Sequence, residues 1–183
     1  MKKSLSILTV LGKDRAGIIA GVTEILFRRG CNLEDISMTV LEGEFAMMMV
    51  VCLKAGDKKK VEADLAKLQR NKGLDFFWKD LKGKRFRGEI RPKGVKTYFV
   101  SAIGADRTGI VFKVSRFLAD RGVNITDLNS KILGSGGKTL YAMILEADIP
   151  AKLNIFKIEA ALKRLAQSLK IEISLRPLER IDL

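Results

Sequence analysis

Histidine is absent from all 183 residues of the sequence. Its absence excludes the usual zinc ligand sets and every histidine general base. Only two cysteines occur, Cys31 and Cys52, and their spacing indicates neither a disulfide framework nor a metal site. We interpret both as small apolar side chains. No nucleophile has an evident activating base beside it, so the sequence predicts no catalysis. We also expect neither a metal nor a cofactor.

Long apolar runs are also missing, and none approaches the roughly 20 residues that a membrane-spanning helix requires. The apolar stretch at residues 5–11 is too short and too often interrupted for a signal peptide. The composition, with 47% hydrophobic and 30% charged residues, is typical of globular domains. We therefore expect a cytoplasmic protein without a membrane partner.

Two stretches of the chain repeat one another at a distance of 92 positions. Residues 11–19 read LGKDRAGII, and residues 103–111 read IGADRTGIV. The same offset relates Val22, Leu26, Arg29, Gly30, Asn32 and Asp35 to Val114, Leu118, Arg121, Gly122, Asn124 and Asp127. The chain is therefore an internal duplication.

Each repeated motif lies between an apolar strand pattern and an amphipathic helix pattern, which predicts a strand-to-helix turn. We expect Gly12 and Gly104 to adopt backbone angles that other residues avoid. We also expect Asp14 and Asp106 to cap the helices that follow. A turn of this kind presents free N–H groups and the positive end of a helix dipole, which suit a carboxylate or a phosphate.

Both copies predict the order strand, helix, strand, strand, helix, strand, which is the ferredoxin-like arrangement. Gly30 is predicted to end the first helix as a left-handed cap. The fold class is thus α+β, with two βαββαβ domains in tandem and helices on one face of each antiparallel sheet. The predicted domains are 1–80 and 95–183, joined by a basic linker at 81–94 that contains glycine and proline. The first copy predicts strands at 5–11, 33–41, 44–53 and 74–78 and helices at 16–29 and 58–70; the second predicts strands at 96–103, 125–133, 138–147 and 170–176 and helices at 108–121 and 153–168.

The repeated DRxGI motif, with the helix, the Gly-x-Asn segment and the hairpin that follow, resembles the ACT domain. Two copies in a chain of this length are similar to the glycine cleavage system transcriptional repressor family. The resemblance implies a non-catalytic regulatory module that pairs side by side and binds an amino acid, such as glycine or serine, at domain interfaces. It places the ligand at Asp14, Arg15, Ala16, Gly17, Asn32 and Leu33 and at Asp106, Arg107, Thr108, Gly109, Asn124 and Ile125.

Each of these positions also has a purely structural interpretation. Asp14 and Asp106 can act as helix caps, Arg15 and Arg107 as solvated or subunit-facing side chains, and Asn32 and Asn124 as turn formers. The expected partners are an amino-acid ligand and a protein such as a transcription factor. Exposed strand edges favour pairing of domains within the chain or as a homo-oligomer.

Positive charge is the second marked feature of the composition, with a formal net charge of +13. The linker at 81–94 is the most basic segment per residue, with six Lys or Arg and one Glu. An alternative function is therefore a nucleic-acid-binding module that uses this linker. No helix-turn-helix, zinc-finger or RNA-binding aromatic motif accompanies the charge, and a solvated linker explains it as well.

Overall fold

The computed structural model describes residues 3–54, 56–81, 93–134 and 139–178. The described chain divides into two compact units, one on each side of the predicted linker. Within these ranges no helix is long and apolar enough to cross a bilayer. Both units have the predicted order of elements, which confirms the ferredoxin-like fold.

The first unit contains four strands and two helices, and these elements begin and end close to the predicted residues. Its second helix begins where the sequence predicts, and its fourth strand continues three residues further, to Leu81. The elements are β1 (Lys3–Lys13), α1 (Ile18–Arg28), β2 (Asn32–Leu41), β3 (Glu44–Lys54), α2 (Lys58–Lys72) and β4 (Leu74–Leu81).

The second unit repeats this order. The predicted loop at 134–137 lies largely outside the described residues, as does most of the predicted linker. The elements are β5 (Val95–Ala105), α3 (Ile110–Ala119), β6 (Asn124–Leu133), β7 (Leu140–Pro150), α4 (Ile155–Leu169) and β8 (Ile171–Pro177).

Each unit is one antiparallel sheet with two helices on one face. The strand orders are β2-β3-β1-β4 and β6-β7-β5-β8, so β2 and β6 are edge strands. Alternate residues of the central strands, such as Leu8, Met47 and Met49, form the core together with Val22 of α1 and Leu65 of α2. The opposite face of each sheet carries no helix of its own unit, and we call it the open face.

The predicted glycine cap at the C-terminal end of α1 is confirmed, and α3 ends in the same way. Gly30 has φ of 63° and Gly122 has φ of 67°. The amide of Gly30 donates to the carbonyl of Phe27, and the amide of Cys31 donates to that of Leu26, at 2.9 Å each. This is the Schellman arrangement, in which a left-handed residue lets the chain satisfy the last carbonyls of a helix.

The predicted helix caps Asp14 and Asp106 are wrong. Helix α1 begins at Ile18 and its N-cap is Gly17, while α3 begins at Ile110 with Gly109 as its N-cap. Neither helix has a side-chain hydrogen bond at its cap. The turns are longer than the sequence pattern suggested, and each aspartate lies three residues before the N-cap.

The expected role of Gly104 needs correction, because close packing and not an unusual backbone angle requires glycine there. This residue has no positive φ. A Cβ there would lie 2.6 Å from Cγ2 and 2.9 Å from Cα of Ile171. At Gly12 a Cβ would lie 2.7 Å from Cδ2 of Leu74. In the second unit the first strand therefore passes against the start of the last strand at a distance that only glycine allows, whereas at Gly12 the nearest atom is the end of a leucine side chain.

Candidate functional site

The first strand-to-helix turn is exposed and is tied to the neighbouring hairpin. The amide of Asp14 donates to the carbonyl of Gly43 at 2.8 Å, which holds the turn against the β2–β3 loop. Asp14, Arg15, Ala16 and Gly17 are all exposed. Within the described residues the carboxylate of Asp14 and the guanidinium of Arg15 have no ion-pair partner, so both remain available to a ligand.

Gly17 gives this turn its geometry. Its φ of 86° lies in the left-handed region, which glycine enters without steric cost. A Cβ at this position would meet nothing within 4 Å, so open space adjoins the backbone. Because no side chain caps α1, the first amides of the helix are free to donate to an anion.

The second turn reproduces the first one. Gly109 has φ of 93°, no side chain caps α3, and nothing lies within 4 Å of a Cβ built at Gly109. Asp106, Arg107 and Thr108 are exposed. Thr108 replaces Ala16 and adds a hydroxyl, so the two turns share a backbone but differ in one hydrogen-bonding group.

The structure does not bring Asn32 and Leu33 to the turn of their own unit. Asn32 pairs with Cys52 of β3, whereas the turn end of β1 pairs with Glu44. These two partners are eight positions apart on β3, a distance of roughly 26 Å along the strand. Asn32 is exposed and Leu33 is half-buried.

The second unit has the same separation. Asn124 pairs with Asp148 of β7, while the turn end of β5 pairs with Leu140. Ile125 lies next to Asn124 and is half-buried. Each predicted site is therefore divided between the two ends of one sheet, and a single unit holds only half of it at either end.

Sequence reasoning missed an apolar surface on the edge strands. Ile36, Met38 and Val40 of β2 lie on the helix-facing side of the sheet, since their partners Met49, Met47 and Phe45 are buried there. These three side chains are nevertheless 44–45% exposed. Leu128 and Ile132 occupy the same side of β6, with 37% and 58% exposure. The alternation of these residues with Ser37 and Thr39 predicts a strand with one apolar and one polar face, but it does not reveal that the strand lies at the edge of the sheet.

The cysteine pair has no sign of a reactive site. Partial burial raises the pKa of the Cys31 thiol, and the nearby Asp57 and Cys52 raise it further. A raised pKa keeps the thiol protonated at neutral pH, whereas a nucleophilic cysteine needs a stable thiolate. Within the described ranges no group of three or more acidic or cysteine side chains is placed to hold a metal ion.

The fold and the two turns define a class, a tandem pair of ferredoxin-like domains with uncapped strand-to-helix turns. Family models described as the ACT domain match residues 4–79 and residues 98–167. The chain belongs to the ACT-domain family, and it carries two of these domains.

Relatives of known sequence align with one domain's length of this chain. UPF0237 protein MK1213 of Methanopyrus kandleri is 42% identical over 74 residues, which are 39% of this chain and 82% of that protein. UPF0237 protein YjhC of Lactococcus lactis is 40% identical over 71 residues, again 39% of this chain and 82% of that protein.

Two solved structures match nearly the whole chain. An unknown protein from Galdieria sulphuraria has a TM-score of 0.82 and 26% identity, over 97% of this chain and all of that chain. A protein provisionally assigned as a glycine cleavage system transcriptional repressor has a TM-score of 0.70 and 20% identity, over 98% of this chain and all of that chain. At this identity the second likeness shows the shared fold alone.

Proposed function

We propose that the protein is a non-catalytic regulator that binds a small amino acid, such as glycine or serine, at its strand-to-helix turns. The observation that carries this proposal is the pair of uncapped helix N-termini behind Gly17 and Gly109. Each presents free amides beside open space. Membership in the ACT-domain family supports the same conclusion.

An α-amino acid matches the chemistry of the turn. Its carboxylate would accept from the first amides of α1, where the helix dipole favours negative charge. Its ammonium would donate to the carboxylate of Asp14, which has no ion-pair partner among the described residues. Asp106 has the same place in the second turn. Glycine, which has no side chain, and serine, which has a short polar one, need no apolar pocket in a turn that is open to solvent.

Pairing of two copies of the chain would complete the site. Strand β2 runs in the same direction as β1, so its Asn32 end lies at the far end of the sheet from the turn. If two β2 strands pair in antiparallel fashion, the Asn32 end of one lies against the turn end of the other. The exposed apolar side chains of β2 would be buried in the same contact.

The signal would be a shift in assembly. A ligand held between two copies favours the paired form, and a protein partner that recognises this form then binds more tightly. The partner's affinity and the ligand's affinity must change by the same factor. The similarity to a provisionally assigned transcriptional repressor makes a transcription factor in amino-acid metabolism our candidate for this partner.

A thermal-shift titration with glycine and serine tests ligand binding, because a ligand of the folded state raises the melting temperature. We expect a shift that Asp14→Asn and Asp106→Asn each reduce and the double variant abolishes. Glu44→Gln is the matched control, since this exposed carboxylate lies near the first turn, opposite Lys13. A shift that survives in the double variant would remove the two aspartates from the site.

Size-exclusion chromatography with light scattering tests the assembly. Val40→Lys places a charge on the exposed apolar side of β2, which should yield monomers and weaken ligand binding. Thr39→Lys adds the same charge on the open face and serves as control. If Val40→Lys stays assembled and Thr39→Lys dissociates, the pairing surface lies elsewhere.

A further inference from the structure

The open face of the second unit contains a depression of about 380 Å³, lined by Phe99, Ser101, Ile144, Ser174 and Arg176. The strand register explains how these side chains meet. Ser101 of β5 pairs with Ile144 of β7 and with Ser174 of β8, and Phe99 pairs with Arg176. Directly paired residues share a face at a distance of about 5 Å, so the five side chains form two adjacent rows.

Small side chains in the middle of these rows create the depression. The hydroxyls of Ser101 and Ser174 hydrogen-bond to each other at 2.7 Å. In the first unit the corresponding positions of β1 and β4 hold Thr9 and Phe77, with Met48 on the other side of Thr9. Replacement of Phe77 by Ser174 removes a whole ring from the centre of the sheet face.

The lining combines an apolar floor with one cationic group. Phe99 and Ile144 are 38% and 55% exposed although both are large and apolar. Arg176 is exposed, and it has neither a hydrogen bond nor an ion pair to any described residue. Its guanidinium presents a planar fork of donors that matches a carboxylate. The volume lies within the range of small-molecule sites, although such sites enclose their ligands more fully.

Two acidic residues lie on the same face as Arg176 but outside the depression. Glu146 lies in the same row as Arg176, but Phe99 stands between them, so two strand spacings of about 10 Å separate them. Glu172 lies four residues from Arg176 along β8, roughly 13 Å away. Neither glutamate lines the depression, whose lining holds one cationic side chain and no anionic one. A ligand held by Arg176 therefore gains no ion pair from the lining for an amino group.

We propose that this depression is a second ligand site, which takes a small monocarboxylate with an apolar body and no α-amino group. The carboxylate binds the guanidinium of Arg176 and a serine hydroxyl, and the apolar body covers Phe99 and Ile144. The site is distinct from the strand-to-helix turns, which follow β1 in the first unit and β5 in the second. Binding of the monocarboxylate at this site and binding of an amino acid at the turns are separate events.

The probe is 3-phenylpropanoate, and its binding is followed by the changes it causes in the amide chemical shifts of the isotope-labelled full chain. L-Phenylalanine adds only the ammonium, and 3-phenylpropan-1-ol lacks only the carboxylate. We expect saturable shifts at β5, β7 and β8 with 3-phenylpropanoate, and affinity at least about tenfold weaker with the alcohol. Chemical-shift changes confined to Gly17 and Gly109 would place the acid at the turns and overturn the second site. The proposal for amino-acid binding at the turns is tested separately, by the thermal-shift titration.

Two variants sharpen the test. Arg176→Ala should weaken 3-phenylpropanoate binding about tenfold or more. Ser174→Phe installs the side chain that the first unit carries and should abolish binding while the amide spectrum of the rest of the fold is kept. Lys79→Ala, at the position of the first unit that corresponds to Arg176, is the control and should bind as the wild type does. Unchanged affinity in Arg176→Ala would refute the proposal.

Discussion

At the scale of single residues, the close passage of Gly12 against β4 is a steric requirement that can be tested. A Cβ at Gly12 would lie 2.7 Å from Cδ2 of Leu74 and 3.0 Å from the carbonyl oxygen of Gly73. We expect Gly12→Ala to lower the free energy of unfolding by about 1–3 kcal/mol, because the Cβ crowds Leu74 and Gly73 and because φ of 158° at this position is unfavourable for other residues. Urea unfolding followed by fluorescence measures this, because the single tryptophan, Trp78, lies in the same unit.

Gly21 provides the matched control for this substitution. It lies inside α1, and a Cβ there would touch Leu68 at 3.7 Å, an ordinary contact. Because glycine weakens a helix interior, Gly21→Ala should raise the free energy of unfolding by about 0.5–1 kcal/mol. Equal effects of the two substitutions would show that the β1–β4 approach does not restrict Gly12.

Tyr141 carries the other testable feature at this scale. Its hydroxyl is buried and makes no hydrogen bond within the described chain, and the corresponding residue of the first unit is Phe45, which is 2% exposed. Tyr141→Phe should therefore stabilise the second unit by about 1 kcal/mol, because it removes an unsatisfied polar group. Thermal unfolding of the wild type and the variant measures the difference. A loss of stability would indicate a partner for the hydroxyl, such as a buried water.

At the scale of elements, one cluster of charges joins the two helices of the first unit. Nε of Arg29, at the end of α1, donates to Oδ2 of Asp64 on α2 at 2.8 Å, and Nζ of Lys67 contacts Oδ1 at 3.2 Å. The hydrogen bond from Arg29, followed by that from Lys67, holds the pKa of the Asp64 carboxyl below its ordinary value. The second unit has Ala161 at the position of Asp64, and Arg121 stacks on Phe117 instead.

This depressed pKa predicts how the first unit responds to acid. The carboxylate's contribution to stability is present above the unfolded-state pKa of about 3.9 and is lost as the pH falls through the lower folded-state value. Asp64→Asn should therefore be less stable than the wild type at pH 7, and the difference should shrink below about pH 4. Urea unfolding at both pH values, read by Trp78, measures it. A difference that is the same at pH 7 and pH 3 would remove ionisation as its source.

The elements also show what the sequence could predict and why the rest needed coordinates. Apolar periodicity located all twelve strands and helices, because burial on one face controls their composition. Gly30 indicated a helix end, since glycine adopts the left-handed conformation of a C-terminal cap without steric cost. The predicted starts of α1 and α3 were two residues too early, because their N-caps, Gly17 and Gly109, have no side chain to give a signal. The separation of Asn32 from its own turn follows from strand direction, because β1 and β2 run the same way; the sequence motif grouped these residues without regard to their place on the sheet.

At the scale of the whole molecule, the net charge of +13 competes with the linker as an explanation for any binding to nucleic acid. Binding by charge alone depends on how many phosphates are neutralised and falls steeply with salt. Binding by the linker depends in addition on where the charges lie. Substitution of all six linker Lys and Arg residues by Gln tests the linker, and it lowers the net charge from +13 to +7.

A second variant with the same net charge separates the two explanations. It replaces six basic residues of the two units, Lys59, Lys96, Lys113, Lys152, Lys157 and Arg164, which are all exposed. We expect the wild type to retain single-stranded DNA on a filter at about 50 mM salt and to release it by about 200 mM, and we expect both variants to lose retention equally. Equal loss means that charge acts without a defined site, which fits the proposed regulator, in which the turns and edge strands make the specific contacts. A larger loss in the linker variant would instead make the linker a nucleic-acid site and revive the alternative function.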